Sequence, residues 1–405
     1  MAPQALAGTL AIELGGFAAG PMVGKYLANH GAEVIRIESR AHLDGFRTHY
    51  PPFKDNVPGV DRAAMFAFYN DGKRSVTLNL KHPRGIELAR RLVARADVLI
   101  ENYTPGTIAR LGLGYETVSR LNPRLVMLST CNQGQTGPHA QHPGFGSHLT
   151  SLSGFSHLLG EAGRTPVLLY GPYIDYIAVG YGVIAVLAAL ARREATGRGC
   201  YIDLSQYESG LQFMGPALLD YQANGRVMSR AGNRDPVAVP HGTYPCRGDD
   251  VWCALSVWDD DEWRRFGRAL GEPAWAADPR FRTVEGRKAH EEELDRLVAA
   301  WTRQHACEEV VARLRAEGLC AAPVNTIADL FADPQLAHRR FWRRLEHPVI
   351  GPIHCMAPPF ILSDTPAHLT RPGPCLGADN GYVLGELLGL SPDEIAALEQ
   401  DGALK

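Results

Sequence analysis

The sequence predicts an α/β protein: a large unit built on a parallel sheet, with a smaller α+β unit inserted into it. Three observations predict this. Short apolar runs of strand type alternate with helical patterns from residue 9 to about residue 206, which implies crossover connections and a sheet covered on both faces. A glycine-rich turn, GGFAAGP at 15–21, joins the first run to a helix and then to an alternating run that ends in Glu38, which is a βαβ unit. Near residue 225 the composition turns polar and irregular, and a hairpin and three helices follow in place of further alternation.

In order, residues 9–14 (TLAIEL) give the first strand, 22–29 a helix and 33–38 (EVIRIE) the second strand. Residues 39–75 are irregular. VTLNL (76–80) is a third strand, and Pro83 opens a helix to about Ala96, because proline is well placed in a first helical turn. DVLIENY (97–103) and LVMLSTCN (125–132) are buried strands, and YIDLSQ (201–206) is another. Residues 225–239 read as a linker. HGTYPCRGDDVWCALSVWD then forms a hairpin, followed by helices near 259–270, 286–303 and 307–318. AAPVNT (321–326) begins the return, with a hairpin at RLEHPVIGPIHC and closing helices near 380–389 and 392–401. The expected domains are 1–225, 226–322 and 323–405, the last returning to the large unit.

Composition narrows the function classes. Of 405 residues, 45% are hydrophobic and 21% charged, with a net charge of -3, which is ordinary for a globular protein. There is no basic block, so nucleic acid is not an expected partner. The eight cysteines are scattered without CxxC spacing, which argues against zinc and against a disulfide framework. The start, MAPQALAGTLAIEL, lacks the charge and long apolar core of a secretion signal. With reduced thiols this predicts a cytoplasmic enzyme.

Ligand chemistry should gather at the carboxyl ends of the strands, in the loops 15–21, 102–110 and 131–138. GGFAAG is not GxGxxG, so a nicotinamide oxidoreductase is disfavoured; a tight turn that binds nothing stays open. Glu38 reads equally as a ligand contact or a structural strand-end acid. The stretch GPYIDYIAVGYGVIAVLAAL, 171–190, carries one acid, Asp175, ahead of an apolar run too short for a membrane span and expected to be a buried helix. At a helix start, unpaired N–H groups would keep that carboxylate ionised and point it outward. An aspartate that only caps the helix is the competing reading.

Several phrases in order resemble the family III CoA-transferases (CaiB/BaiF type), the group of formyl-CoA and carnitine CoA-transferases. They are AAGPMVGKYLANHGAEVIRIE, NDGKRSVTLNLKHPRG, DVLIENYTPGTIARLGLGYE, NPRLVMLS, GQTGP and ALARREATGRGCYIDLSQYE, continued by HGTYPC, DPRFRT, EGLCAAPV and DLFADPQLAHR. The resemblance runs from about Leu6 to the carboxyl end. It implies a Rossmann-like large domain and a homodimer of interlinked ring-like subunits. It puts the nucleophilic aspartate at Asp175, a CoA-contacting arginine at Arg110, and the wall of the thioester and adenosine pocket at Phe17, Ala18 and Ala19. An arginine that follows the strand-ending glutamate in some members is Ser39 here, with Arg40 next. Arg40, Lys73, Arg74 and Arg110 are the candidate phosphate contacts. The glycine-run loop that shields the site in formyl-CoA transferase has no match, and residues 240–244 are the candidate substitute.

The resemblance implies transfer of CoA between carboxylic acids through an aspartyl anhydride and an aspartyl-CoA thioester. Splitting a hard displacement into easier ones is what a covalent nucleophile achieves. Backbone N–H groups at the helix start and glycine-rich loops would steady each oxyanion. No metal or organic cofactor is implied; coenzyme A enters as substrate. The phrases around PYIDY and GFG are most similar to the branch that uses succinyl-CoA with aromatic or dicarboxylic acceptors such as benzylsuccinate, which includes intramolecular transfer within a dicarboxylyl-CoA. Alpha-methylacyl-CoA racemases share most of the phrases, but their proton-transferring histidine falls on Phe145, with His142 and His148 off register and read as ordinary polar residues. A subunit of a heteromeric transferase is a further alternative.

Overall fold

The computed structural model describes residues 4–405. They form two units, one of residues up to 155, 168–226 and 334–405, the other of residues 156–167 and 227–333.

The first unit carries a six-stranded sheet: β1 (Leu10–Leu14), β2 (Glu33–Glu38), β3 (Arg74–Thr77), β4 (Val98–Glu101), β5 (Val126–Cys131) and β6 (Cys200–Ser205), in the order β3-β2-β1-β4-β5-β6. All five pairings are parallel. The α/β expectation therefore holds. Side chains alternate between two cores, as strand geometry requires. Ile12, Leu14, Leu99 and Met127 face one core with Leu88 and Leu92 and with the carboxyl-terminal Val383, Leu384 and Leu398. Ala11, Val98, Ile100 and Leu128 face the other with Val23 and Leu27 of the Ala19–Asn29 helix and Val179 and Val186 of the Tyr173–Thr196 helix. Strand order reverses between β1 and β4, and a crevice opens beyond the carboxyl ends of strands at such a reversal.

The second unit has a three-stranded antiparallel sheet, β7 (His241–Pro245), β8 (Trp252–Ser256) and β9 (Cys320–Pro323). The helices Asp260–Ala269, Glu291–Thr302 and Cys307–Ala316 cover it, with Cys253, Leu255, Phe266, Leu294 and Val310 at the core. Residues 320–323 are its third strand, so AAPVNT (321–326), expected to begin the return, starts within this unit. Pairing with β8 is what carries the unit past residue 322. In the first unit a separate hairpin, β10 (Trp342–His347) with β11 (Gly351–Met356), forms where a hairpin was expected.

One element departs from expectation. The apolar run at 177–190 belongs to a 24-residue helix, Tyr173–Thr196, which is long and apolar enough by length and composition alone to cross a membrane. It packs on the Ala19–Asn29 helix, β5 and β6. Gly182 permits the close crossing: a Cβ there would stand 2.9 Å from Val23 Cγ2. Only one face is covered, however, and Tyr181, Ile184 and Leu187 are exposed.

Candidate active site

The reversal crevice is built from the loops after β1 and β4. Gly15 and Asn102 meet so closely that a Cβ on Gly15 would lie 1.9 Å from Asn102 Oδ1, and Gly15 itself has φ +111; only glycine suits both demands. Asn102 locks the turn by accepting from Gly16 N (3.0 Å) and donating to Gly16 O (2.7 Å). Glu101 secures the facing loop by accepting from Tyr103 N at 2.8 Å. Phe17 is held at φ +60, rare for an aromatic residue, and donates its N–H to Asp44 Oδ1 at 3.2 Å.

Beneath this turn lies a buried ionic network. Arg36 donates to Glu13 (2.6 Å) and to Gly15 O (2.8 Å), and pairs with Asp44. Lys73 donates to Glu13, Asn70 Oδ1 and Pro21 O. Arg47 grips Glu38 with two 2.8 Å bonds. Ser75 Oγ donates to Glu38 at 2.6 Å. Burial opposes the charge on Glu38, but Arg47, Arg36 and Ser75 together bring its carboxyl below the ordinary range. The network's strongest claim is positional, since buried ion pairs are weak evidence of net stability.

Two cavities open onto the turn. The outer one, about 560 Å³, is bounded by 15–17, 36–39, 42–45, 78–81 and 102–104, with Thr107 and Leu111. The inner one, about 310 Å³, is bounded by Phe17, Ala18, Ala19, 102–105, 131–132, Ala140, 142–146, Asp175 and Gln206. Phe17, Asn102, Tyr103 and Thr104 border both, so the two are chambers of one cleft.

Asp175 stands in the inner chamber at the third position of its helix; Pro172 is the residue before the first turn, and no side chain caps it. The capping alternative therefore does not describe it. The carboxylate is half-buried, and no hydrogen bond or ion pair reaches it among the described residues. Burial alone pushes its carboxyl up to about 7. This corrects the expectation that the helix start keeps it ionised: with no donor on the carboxylate, desolvation prevails. Gly146 leaves it room, since a Cβ there would come 2.8 Å from Asp175 Oδ1 and 2.6 Å from Pro172 Cβ. Aromatic rings border the chamber: Phe17 meets Phe145 edge-on at 5.6 Å and Phe46 at 5.4 Å. Tyr176, next to Asp175, meets the Tyr69 hydroxyl with its own.

The expected contacts thus divide. Phe17, Ala18, Ala19 and Asp175 share the inner chamber. Arg110 is exposed, its Nη2 donating to Thr107 Oγ1 at 2.8 Å, and Thr107 borders the outer chamber. Arg40 is exposed beside Gly377 and does not border the chamber, where Ser39 does. Lys73 is wholly buried and consumed by its three partners, and burial lowers its ammonium to about 8. Arg74 opens β3, so it stands at the amino edge of the sheet, paired with Glu33 and Asp379. Neither Lys73 nor Arg74 reaches the cleft, because cations before a parallel strand lie at the wrong end of it. Lys81, just after that strand, does border the outer chamber, with His42 at 3.4 Å. The strand rule would have selected Lys81 had the direction of β3 been applied. No group of residues suited to a metal ion occurs among the described residues.

Comparison with known proteins agrees with this architecture. A family model described as CoA-transferase family III matches residues 6–380. Succinyl-CoA–D-citramalate CoA-transferase of Chloroflexus aurantiacus is 33% identical over 397 residues, 98% of this chain and 97% of the relative. The beta subunit of succinyl-CoA–L-malate CoA-transferase of the same organism is 34% identical over 396 residues, 96% of each chain. The crystal structure of a CaiB/BaiF family protein from Brucella suis superposes with a TM-score of 0.88 at 32% identity, covering 95% of this chain and 100% of that one.

Proposed function

The chain belongs to CoA-transferase family III, and on that premise we propose that it moves coenzyme A between carboxylic acids through covalent intermediates on Asp175. The observation that carries the reading is an unpartnered, half-buried carboxylate in the inner chamber of a two-chambered cleft. The outer chamber takes the nucleotide end of the donor, with Lys81 and Arg110 near its phosphates. The inner chamber takes the thioester.

Ionised Asp175 attacks the acyl carbon of the donor, forming a mixed anhydride and releasing CoA thiolate. The thiolate attacks the aspartyl carbonyl carbon, giving an aspartyl-CoA thioester and the free donor acid. The acceptor carboxylate then attacks that thioester, regenerating an anhydride and thiolate. The thiolate finally takes the new acyl group and frees Asp175. A carboxylate short of hydrogen-bond donors is a better nucleophile than a solvated one, since it surrenders no shell on attack. The aromatic rings of Phe17 and Phe145 limit water near the anhydride.

Relatives named for succinyl-CoA with citramalate or malate support a succinyl-CoA donor and a dicarboxylic acceptor; an aromatic acceptor and transfer within one dicarboxylyl-CoA use the same steps. The exposed apolar face of the Tyr173–Thr196 helix supports burial against a second polypeptide in a homodimer. A relative named as a beta subunit keeps a heteromer as the second reading. The protein as a whole is read as cytoplasmic, with that helix in a protein interface and not in a membrane.

Mass spectrometry after incubation with a panel of acyl-CoA thioesters tests the reaction. A CoA adduct on Asp175, absent from Asp175→Ala, is expected. Wild-type turnover by Asp175→Ala would sink the reading, and solvent deuterium entering the α-carbon without an adduct would make the protein an epimerase.

A further inference from the structure

The inner chamber holds no lysine or arginine. Of the side chains that border it, only His142 is able to carry positive charge. Each of the three amides there is oriented by one bond: Asn102 donates to Gly16 O, Asn132 to Gly144 O at 3.0 Å, and Gln206 to Thr130 Oγ1 at 3.4 Å. His142 also borders a third cavity of about 540 Å³, with Pro143 common to both. Gln133, His139, Ser147, His148, Ser151, Leu152 and Leu168 complete that cavity, and no carboxylate is among them. The His139 and His142 rings lie 4.7 Å apart. His148 Nδ1 accepts the Phe145 N–H at 3.2 Å, which leaves its Nε2 to bear the hydrogen. Three imidazoles and no acid make a setting suited to an anion, and His142 and Pro143 set it beside the chamber that holds Asp175.

We propose that this third cavity is the subsite for the distal carboxylate of a dicarboxylic acyl group, with His142 as its contact at the boundary. The proposal rests on the transferase reading and deepens it. An imidazole N–H donates to a carboxylate in either protonation state. Because donor and acceptor acyl groups occupy the inner chamber in turn, one subsite serves both. A monocarboxylic acyl chain leaves it empty, and selection follows from the hydrogen bond that is then missing.

Two donors of equal chain length isolate the effect: succinyl-CoA ends in a carboxylate, butyryl-CoA in a methyl. The readout is the rate at which each forms the CoA adduct on Asp175 of the full chain, followed by mass spectrometry. Wild type is expected to react at least about tenfold faster with succinyl-CoA, the discrimination typical of one charge-assisted hydrogen bond. His142→Ala, which removes the donor, is expected to bring the two rates within about threefold, chiefly by slowing succinyl-CoA, and His142→Lys to restore the preference. His142 is exposed, so both variants should keep the wild-type circular dichroism and melting profile. A wild-type ratio in His142→Ala, or no preference in wild type, overturns the subsite while the adduct upholds the transferase. No adduct from either donor in wild type removes the transferase reading, and the subsite with it.

Discussion

Two places in the first unit withdraw carboxylates from water, and they are built in opposite ways. Under the β1 turn, Glu13 is wholly buried yet answered by Arg36 and Lys73, and Glu38 by Arg47 and Ser75. Around Asp175 no donor answers. The first arrangement fixes a backbone; the second leaves a carboxylate free to react. Partnered charge yields position, and unpartnered charge yields reactivity at a cost in stability.

The severest test of the contrast removes the unpartnered member. Asp175→Ala should lower CoA transfer by about 10³-fold or more, with far-ultraviolet circular dichroism unchanged. The converse substitution, Glu13→Gln, takes the shared carboxylate from Arg36 and leaves buried Lys73 without an ion-pair partner, and should destabilise by about 3–5 kcal/mol in chemical denaturation. If Glu13→Gln proves as harmless to folding as Asp175→Ala, the contrast fails. A gentler probe crowds the nucleophile: Gly146→Ala sets a methyl against Asp175 and should slow adduct formation by about 10–100-fold with little change in donor affinity.

Titration sharpens the comparison. With its carboxyl near 7, Asp175 is neutral below that pH and ionised above it, so single-turnover adduct formation should climb through about pH 7 and level off. The same shift has a thermodynamic face. Its folded value lies above the unfolded one, so its stabilising contribution is complete below about pH 4 and is lost as pH rises to about 7. Asp175→Asn should therefore melt higher than wild type by about 1–3 °C at pH 8, with a smaller gain at pH 5. A variant less stable than wild type at pH 8 would show that the carboxylate has partners after all.

The strands were readable because their periodicity is local: EVIRIE and VLIE announce buried parallel strands wherever they occur. Asp175 was readable from its phrase, and Phe17, Ala18 and Ala19 from the resemblance, but the room Gly146 leaves beside the carboxylate was not, because it comes from a distant part of the chain. Lys73 and Arg74 were misplaced for a directional reason, as they stand at the start of β3 where the cleft lies after its end. His142 reads as an ordinary polar residue in the sequence; the role proposed for it rests on its being the one cation-capable side chain bordering the chamber, a property of a volume and not of any segment. The full length of the Tyr173–Thr196 helix, with one face bare, likewise depends on what packs beside it.

Phe17 has a consequence of its own. Its strained backbone places one ring on the partition between the outer and the inner chamber. With the donor placed as proposed, occupancy of the first would brace a wall of the second. A donor cut back to its pantetheine arm forfeits that brace, so its deficit falls on turnover as well as on affinity, and the adenosine end acts as a remote splint for a bond it never approaches.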